Sequence, residues 1–478
     1  MLEERTGIWK RYLLGGILII AASISATAVA AFHEVDKVVN AFKHNPTLDL
    51  NRYLAQADTG KPQTMLLIGS DKRPKHAVDY QGGSARSDTL MLVRLDPSKR
   101  ATALMSIPRD LKVHIPGHGV GKINQAYTDG GAKLTLQTIK QVTGLRVNHV
   151  ITIDFRGFRS AIDSLGCVFA DVDRRYYNES GNYATINLKP GYQKICGSDA
   201  LDYVRYRHED NDIIRAARQQ DFLRQVKSQI SVTKLIDQRD RLLKIFGEFT
   251  HSDIGSENAV LRLLNLVIAS ASHPITEIHF EAKLGPSYVT AGPKKIHKLA
   301  QEFLGLTQPG GGGGGGNPGN PKPNGGRGGG GGGDGLVDAS GMGKQVAVRL
   351  VAQGLRGVPV VYPRKITGGA QFVFPPRDYS IINRAGRSFN AFRIVIAKGQ
   401  IGEYYGIQGT NWKDPPILRS PSSIQKFDGQ KYMIFRDSQR IRLVAWRSGG
   451  GTYWVSNTLP ETLSDQQMID IARSTKPL

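Results

Sequence analysis

A glycine-rich segment divides this chain into two parts. Over residues 310–335, 17 of 26 positions are Gly, and no aliphatic or aromatic side chain is present to be buried. This composition predicts a flexible linker rather than a packed structure. A phosphate-binding loop is not indicated, because no strand precedes the glycines and no Gly-Lys-Ser/Thr sequence ends them. We therefore expect two folded domains, at 63–307 and 337–478, joined by a linker at 308–336.

A second constraint lies near the N-terminus, where Tyr12–Phe32 is an uncharged apolar run of 21 residues. That length suits a helix that crosses the hydrocarbon core of a bilayer, and Lys10 and Arg11 precede it. We expect a cytoplasmic tail at 1–11, a single transmembrane anchor at 12–32, a stalk at 33–62 and extracellular domains. A cleaved signal peptide is the alternative, because small residues at 26–30 fit a cleavage site.

The charge of the chain indicates an anionic partner outside the cytoplasm. Lys and Arg number 63 against 41 Asp and Glu, which gives a formal net charge of +22. Such an excess suits lipid head groups, acidic cell-wall polymers or nucleic acid, and export disfavours nucleic acid. Cys167 and Cys196 are the two cysteines. Their even number and the exported location favour a disulfide, with two buried free thiols as the alternative.

The first domain alternates short apolar strands with helical segments. Residues 65–69, 89–95, 101–107, 149–155 and 167–172 have strand patterns, whereas 134–144, 156–166 and 216–230 have helical spacing. This order predicts an α/β or α+β sandwich with a central mixed sheet covered by helices.

The region after residue 336 regains an ordered pattern. It combines a helix, a turn and a strand over 346–362 with alternating strands and a short closing helix at 468–474. We expect a second, smaller α+β domain whose role the sequence does not define.

Charged residues of the first domain gather where strands end or begin. Asp71 follows the strand 65–69, Arg86 and Asp88 precede the strand 89–95, and Arg109 follows the strand 101–107. A fourth run spans 203–220. In it Arg205 and Arg207 alternate as in an extended segment, and Arg215 and Gln219 share one face of a helix. Because ligand crevices lie at strand ends in open sheets, we expect these clusters to converge.

The residue types of these clusters suit the binding of a pyrophosphate. Arginine binds phosphoryl oxygens bidentately, and Asp71 and Asp88 offer the hard oxygen ligands that Mg²⁺ prefers. Together they would neutralise charge during phosphoryl transfer. For any one of these residues the alternative is an ordinary surface salt bridge.

These stretches resemble the LytR-CpsA-Psr family of exported cell-wall ligases, of the actinobacterial type. The resemblance covers about residues 63–230 and rests on LLIGSDKR, RSDTLMLVRLDP, SIPRDLKVHIPG, GKINQAY, ITIDFRGFRSAIDSLGCV and LDYVRYRHEDNDIIRAARQQDFL. The chain departs from the usual pattern at Cys167, where many members have Gly. The linker and the second domain lie outside the resemblance.

The resemblance implies a function and assigns roles to residues. It implies a Mg²⁺-dependent transfer of a glycopolymer from a polyprenyl-pyrophosphate carrier to peptidoglycan, which forms a phosphodiester. Asp71 and Asp88 would hold Mg²⁺ and, with Arg109, act in catalysis. The implied pyrophosphate clamp consists of Arg86, Arg109, Lys122, Arg205, Arg207, Arg215, Arg218 and Gln219, and Asp212 would order it. Apolar residues of the sheet and helices would bind the lipid tail.

A different class of function stays open beside the enzyme. A basic exported surface would also hold wall polyanions without turnover, as a binding or regulatory protein would. The sequence leaves undecided the polymer, the acceptor, the proton-accepting residue and the oligomeric state.

Overall fold

The computed structural model of the protein describes two stretches, 47–305 and 335–478. Within them it leaves out 57, 59, 71–86, 99–100, 180–184, 207, 232, 234–236, 255–256, 271–272, 274, 281, 400–401 and 438–439. The expected anchor at 12–32 and the expected linker therefore lie outside the described residues. In the part of the chain that is described, no helix is both long and apolar enough to cross a membrane.

The first domain is built on a six-stranded mixed sheet. Its strands are β1 (Gln63–Ser70), β2 (Ser87–Asp96), β3 (Ala101–Ile107), β6 (His149–Asp154), β11 (Thr250–Ser252) and β12 (Ile275–Ile278). They lie in the order β11-β6-β1-β2-β3-β12. β1 runs parallel to β6 and β3 runs parallel to β12, whereas the other neighbours are antiparallel. The expected central mixed sheet is thereby confirmed.

Four small strand pairs surround this sheet. They are β4 (Lys112–Ile115) with β5 (Gly119–Lys122), β7 (Val168–Val172) with β10 (Gly191–Ile195), β8 (Tyr176–Asn178) with β9 (Ile186–Leu188), and β13 (Lys283–Leu284) with β14 (Val289–Thr290). The described helices are α1 (Gln125–Thr143), α2 (Phe155–Ser164), α3 (Gly197–Arg205), α4 (Asp212–Gln229), α5 (Arg239–Phe249), α6 (Glu257–Ser270) and α7 (Pro293–Phe303). Gly144 ends α1 with φ +70°, the left-handed conformation that favours glycine.

Alternation along the central strands supplies two buried faces. On one face, Leu66 and Leu92 pack in a core with Leu136 of α1 and Phe303 of α7. On the other face, the core is formed by Met65, Met91, Val93, Leu95, Leu104, Ile151 and Leu266 of α6, with Leu223 of α4 packed against it. Because side chains of a strand alternate between faces, one sheet serves both helical layers, which gives the expected sandwich.

The segment expected as a stalk contributes to this domain in its last part. Leu50 is buried in the core beside α1 and α7. Backbone hydrogen bonds join Leu48 N to Ser252 O at 2.9 Å and Ala55 N to Val147 O at 2.8 Å. The packed domain therefore begins before residue 63.

The second domain is mostly sheet. Seven antiparallel strands lie in the order β18-β19-β20-β24-β23-β22-β21. They are β18 (Gln371–Ile382), β19 (Ser388–Ala397), β20 (Tyr404–Thr410), β21 (Ser423–Phe427), β22 (Gln430–Asp437), β23 (Arg440–Ser448) and β24 (Gly451–Ser456). The short strands β15 (Leu336–Asp338), β16 (Val361–Tyr362), β17 (Lys365–Thr367) and β25 (Lys476–Pro477) and the helices α8 (Ser340–Ala352) and α9 (Asp465–Ser474) complete the domain. The expected combination of strands and helices is therefore present, and in the described part of the domain the sheet dominates over two α-helices.

The two domains share a buried interface. Phe169 of β7 and Tyr192 of β10 lie in one apolar cluster with Trp454 of the second domain. The guanidinium of Arg393, in β19, lies 3.2 Å from Asp171 Oδ1 in β7. Trp454 Nε1 donates to the other carboxylate oxygen of Asp171 at 3.2 Å. The second domain therefore packs directly on the β7–β10 side of the first.

A disulfide joins Cys167 and Cys196, as the even number of cysteines favoured. Cys167 precedes β7 and has φ +63°, a left-handed backbone conformation. Glycine adopts that conformation at the lowest cost, which agrees with the Gly that the resemblance leads one to expect at this position. Cys196 is the N-cap of α3. The bridge therefore fixes the start of the helix that ends at Arg205.

Candidate functional site

The charged clusters of the first domain meet at one edge of the central sheet. Ser70 at the end of β1 pairs with Ser87 at the start of β2 and with Asp154 at the end of β6. Ile107 at the end of β3 pairs with Leu90 of β2. The end of β1, the start of β2 and the end of β3 therefore lie at the same edge of the sheet. Convergence of the side chains of Asp71, Arg86 and Asp88 at this edge stays a prediction.

Asp212 links the third and fourth clusters. It opens α4, whose N-cap Asn211 accepts from the Ile214 backbone N–H at 3.0 Å. One carboxylate oxygen accepts from the Asp110 backbone N–H at 3.0 Å. The other lies 3.0 Å from the Arg215 guanidinium and 3.8 Å from Nε of Arg109. A carboxylate is also favoured in the first turn of a helix. Asp212 thus holds two arginines from distant parts of the chain side by side.

Asp110 forms the second carboxylate of the site. Its Oδ1 lies 3.0 Å from Lys122 Nζ and 4.0 Å from Nε of Arg109. Burial raises the pKa of Asp110, as does the neighbouring Asp212, while Lys122 and Arg109 oppose this shift. The side chain of Lys122 is 39% exposed and that of Asp212 is 2% exposed. Lys122 therefore marks the solvent side of the cluster.

Gln219 and Arg205 connect the fourth cluster to the sheet edge. Nε2 of Gln219 donates to Oγ1 of Thr89 at 2.9 Å and to Val204 O at 3.1 Å. The guanidinium of Arg205 lies 3.9 Å from the ring centre of Phe155, which directly follows β6. Arg205 is the last residue of α3, so the expected extended segment is wrong at this position.

Arg218 has contacts of a structural kind. Its guanidinium is fully buried and forms an ion pair with Asp210. It also donates to Tyr203 O at 3.1 Å and to Tyr206 O at 3.0 Å. These bonds fix the turn between α3 and α4, from which Arg205 and Asp212 project.

Several residues of the expected site lie outside the description. Asp71, Arg86 and Arg207 are among them, and Asp88 is described by its backbone in β2. The roles given to these residues, Mg²⁺ binding included, stay predictions. In the described part of the chain, two further groups have metal-ligand residue types: Asp163 beside the cysteines of the disulfide, and Glu277, His279 and Asp437 near the Arg224 guanidinium. The cysteines of the first group form the disulfide and have no thiol left to bind a metal. The carboxylates of the second group already pair with the Arg224 guanidinium.

Asp110 is the residue of this site that the sequence reasoning did not assign. It stands beside Arg109 in the Ser106–Asp110 cluster, but adjacent residues of opposite charge are common on protein surfaces. Its contact with Lys122 depends on the hairpin β4–β5, which brings residues 12 apart together. An acidic residue after a strand, flanked by a basic hairpin, is the signal that would have found it.

Comparisons with known proteins identify the class to which this fold and site belong. The sequence model of the LytR_cpsA_psr family matches residues 19–300. The chain therefore belongs to the LytR-CpsA-Psr family, as the motifs indicated.

Named relatives lie within the same family. The polyisoprenyl-teichoic acid–peptidoglycan teichoic acid transferase TagU of Oceanobacillus iheyensis is 27% identical over 63% of this chain and 95% of its own length. TagT of Bacillus subtilis, which carries the same activity name, is 27% identical over 52% of this chain and 77% of its own length. The crystal structure of TagV from B. subtilis is 28% identical, with a TM-score of 0.42, and covers 52% of this chain and 100% of that one.

Proposed function

We propose that this protein is a Mg²⁺-dependent phosphotransferase that moves a glycopolymer from a polyprenyl-pyrophosphate carrier to peptidoglycan and forms a phosphodiester. Membership of the family and the names of TagU and TagT support a transferase of this class. The finer points, which are the metal, the carrier and the acceptor, belong to the proposal.

The observation that carries the proposal is the charge balance at the sheet edge. Among the described residues of this cluster, Arg109, Lys122 and Arg215 supply three positive charges, and Asp110 and Asp212 supply two negative charges. The carboxylates hold the cations in place without neutralising them fully. A preorganised cluster with a positive excess stabilises an anion, and guanidinium groups suit phosphoryl oxygens.

The proposed reaction is a displacement at phosphorus. The oxygen of an acceptor hydroxyl on peptidoglycan attacks the phosphorus attached to the glycan and forms the new O–P bond. The bond from that phosphorus to the bridging oxygen breaks, and polyprenyl phosphate leaves with the electron pair. A carboxylate at the same edge, Asp71 or Asp88, takes the proton of the hydroxyl. Arg109 and Arg215 hold the oxygens on which charge increases.

The donor set around the expected metal fits Mg²⁺ by its chemistry. Mg²⁺ binds through one or two carboxylates together with substrate phosphates. Asp71 and Asp88 would supply these carboxylates, and the cation would neutralise charge on the pyrophosphate. We further propose that 12–32 anchors the chain once in the cell membrane, with both domains outside, because the carrier lipid resides in that bilayer.

Transfer of a glycan from a synthetic polyprenyl-pyrophosphate donor to purified peptidoglycan tests the proposal. We expect Arg109→Ala and Arg215→Ala each to lower kcat/KM about 10²–10³-fold, since each removes a donor from developing charge. Arg109→Lys keeps the charge but loses the bidentate geometry, so it should restore only part of the rate. Removal of Mg²⁺ by a chelator should stop transfer, and added Mg²⁺ should restore it.

Arg146→Ala is the matched control, because Arg146 is an exposed residue of the same domain and lies in the loop after α1. Its transfer rate should equal that of the unchanged protein. If glycan bound to the protein without release of polyprenyl phosphate at any Mg²⁺ concentration, the enzyme proposal would fail. The non-catalytic polyanion-binding or regulatory function would then replace it.

A further inference from the structure

The hairpin β4–β5 leaves the candidate site directly after Arg109 and Asp110. Its side chains alternate, with Val113 and Ile115 buried in the core and Lys112 and His114 exposed. The register pairs Lys112 with Lys122 and His114 with Val120, so these four side chains share the outer side of the hairpin. We name this outer side the hairpin face; it consists of Lys112, His114, Val120 and Lys122.

Two lysines, Lys112 and Lys122, lie directly opposite each other on the hairpin face. Like charges directly opposite in an antiparallel pair are destabilising, so the Lys112–Lys122 pair needs compensation. Lys122 has Asp110, with Nζ 3.0 Å from Oδ1. For Lys112, the described side chains supply a ring contact with Tyr288 and no carboxylate within 4.0 Å. At the turn of the hairpin, His118 Nδ1 lies 3.5 Å from Asp129 Oδ2. The carboxylate of Asp129 therefore contacts His118 and not Lys112.

Tyr288 fixes both lysines relative to the site. Its ring centre lies 5.3 Å from Nζ of Lys112 and 6.0 Å from Nζ of Lys122, distances at which an ammonium group is attracted by a ring face. The next residue, Val289, donates its backbone N–H to Asp110 O at 2.9 Å and forms a bridge with Leu111. The ring, the two lysines and Arg109 therefore belong to one continuous surface.

We infer that Lys112, Lys122 and Tyr288 form a second anion subsite, which binds a phosphate or carboxylate group carried by the saccharide being transferred or by the acceptor saccharide. The inference rests on the proposed function and deepens it. Arg109 and Arg215 bind the pyrophosphate, Lys122 lies at the border of both groups through its contact with Asp110, and the rest of the hairpin face binds a charge further along the sugar chain. Such an anion supplies the carboxylate-like partner that Lys112 lacks among the described residues, because charge-assisted hydrogen bonds to both ammonium groups would form.

Lys112→Ala tests this subsite, with two donors that differ only in a phosphate group on the glycan. For the phosphate-bearing donor we expect KM to rise about tenfold, as the loss of one charge-assisted contact implies, with kcat unchanged. For the neutral donor we expect no change. Tyr288→Ala should act in the same direction as Lys112→Ala, and Tyr288→Phe should resemble the unchanged protein because the ring is retained.

Lys133→Ala is the matched control, because Lys133 Nζ lies 5.0 Å from the ring centre of Tyr53, away from the hairpin. It should leave both KM values unchanged. If the KM effect of Lys112→Ala instead disappears with an acceptor whose carboxylates are amidated, the anion belongs to the acceptor, and the subsite stands. An equal effect of Lys112→Ala with every pair of substrates, or none with any, would overturn the inference.

A binding measurement separates this inference from the proposed function. Soluble oligomers of poly(glycerol phosphate) are titrated into the protein in detergent, in the absence of any lipid donor. Binding that weakens about tenfold in Lys112→Ala, and not in Lys133→Ala, supports the subsite even if no transfer occurs. Equal binding by Lys112→Ala and the unchanged protein would contradict the subsite even if transfer proceeds normally.

Discussion

Helix α4 carries arginines into two clusters whose charge balances are opposite. At its first turn, Arg215 belongs to the candidate site, where three cations face two carboxylates among the described residues. Further along, Arg224 lies at the interface between the domains. There its guanidinium contacts Asp221, Glu277 at 2.7 Å, Asp437 at 3.3 Å and Glu461 at 4.0 Å.

The interface cluster has an excess of negative groups. Arg442, which is half-buried, is its second cation, so among the described residues two guanidinium groups face four carboxyl groups. Burial raises the pKa of Glu277 well above its usual range, and burial and Asp437 raise the pKa of Glu461 to about 8. Protonation of Glu277 and Glu461 therefore reduces the excess of negative charge in this cluster. Under the proposed function, the site, with a positive excess among its described residues and a solvent-facing Lys122, would balance its charge by binding an anion from outside. Charge balance thus separates a binding cluster from a structural one.

Removal of Arg224 should give the largest effect. Arg224→Met leaves the buried carboxyl groups of the interface without their central partner, which costs about 3–5 kcal/mol when a buried ion pair is broken. We expect a loss of this size in the free energy of unfolding, measured by urea titration of the purified protein. Arg447→Ala removes an exposed arginine that pairs with Asp414 and should change stability by less than about 1 kcal/mol. Equal stability of Arg224→Met and the unchanged protein would show that the interface cluster does not hold the domains together.

The sequence predicts more of the candidate site than of this interface. Asp71, Asp88 and Arg109 stand next to strands with clear alternation, so the pattern that predicts the sheet also places its edge. Arg215 and Gln219 are four residues apart, and helical spacing alone puts them on one face. The Arg224–Asp437 contact joins residues 213 apart. No periodicity in the local sequence indicates such a contact. The glycine-rich segment also predicts two separate domains and gives no sign of an interface between them.

Local errors have similar physical causes. Arg205 ends a helix although Arg and Tyr alternate around it, because the disulfide at Cys196 and packing of α3 override a two-residue period. Strand β18 contains Pro375 and Pro376, which the sequence pattern excludes from a central strand; it lies at the sheet edge, where proline is tolerated. The sequence-based prediction treats each arginine as a ligand of the substrate and therefore does not anticipate that Arg218 is fully buried.

Because carboxyl groups at the interface stay protonated, the stability of the folded protein depends on pH. Glu461 has a folded-state pKa above its ordinary value, so the folded protein holds more protons than the unfolded chain between about pH 4.5 and 8. Stability from this group is full below that range and is lost as the pH rises through it. Glu461→Gln is neutral throughout. Its thermal midpoint relative to the unchanged protein should therefore increase from pH 5 to pH 8, by an amount equivalent to about 3–4 kcal/mol.

The difference between the two proteins isolates Glu461 from the other groups that titrate nearby. Asp221, Glu277, His279 and Asp437 face the same cluster, and Asp171 lies close to it, but each is present in both proteins. Glu403→Gln, which removes a carboxylate paired with Lys398 in the same domain, controls for the loss of any acidic side chain. A constant difference between pH 5 and pH 8 would assign the charge imbalance of the interface to another residue.

The smallest expected effect concerns the point where the second domain touches the site helix. Gly402, in the loop between β19 and β20, has φ +80°, and a Cβ there would lie 2.6 Å from Cδ1 of Ile214 in the first turn of α4. Gly402→Ala should therefore lower stability by about 1–2 kcal/mol, through backbone strain and through displacement of the loop from Ile214. Gly386 has the same φ and no atom within 4 Å of such a Cβ, so Gly386→Ala measures the strain alone.

A double-mutant cycle then separates the contact from the strain. Ile214→Ala removes the atoms that the new methyl group meets, so Gly402→Ala should cost less in that background, by about 0.5–1 kcal/mol. The same cycle applied to the KM of the phosphate-bearing donor shows whether the contact matters to the site, because Asp212 and Arg215 lie in the same helical turn as Ile214. Coupling in stability without coupling in KM would mean that the second domain supports α4 but does not set the position of Arg215. Coupling in both stability and KM would mean that the two arginine clusters of α4 respond together to the same change. They would then differ in charge balance but would not be independent of each other.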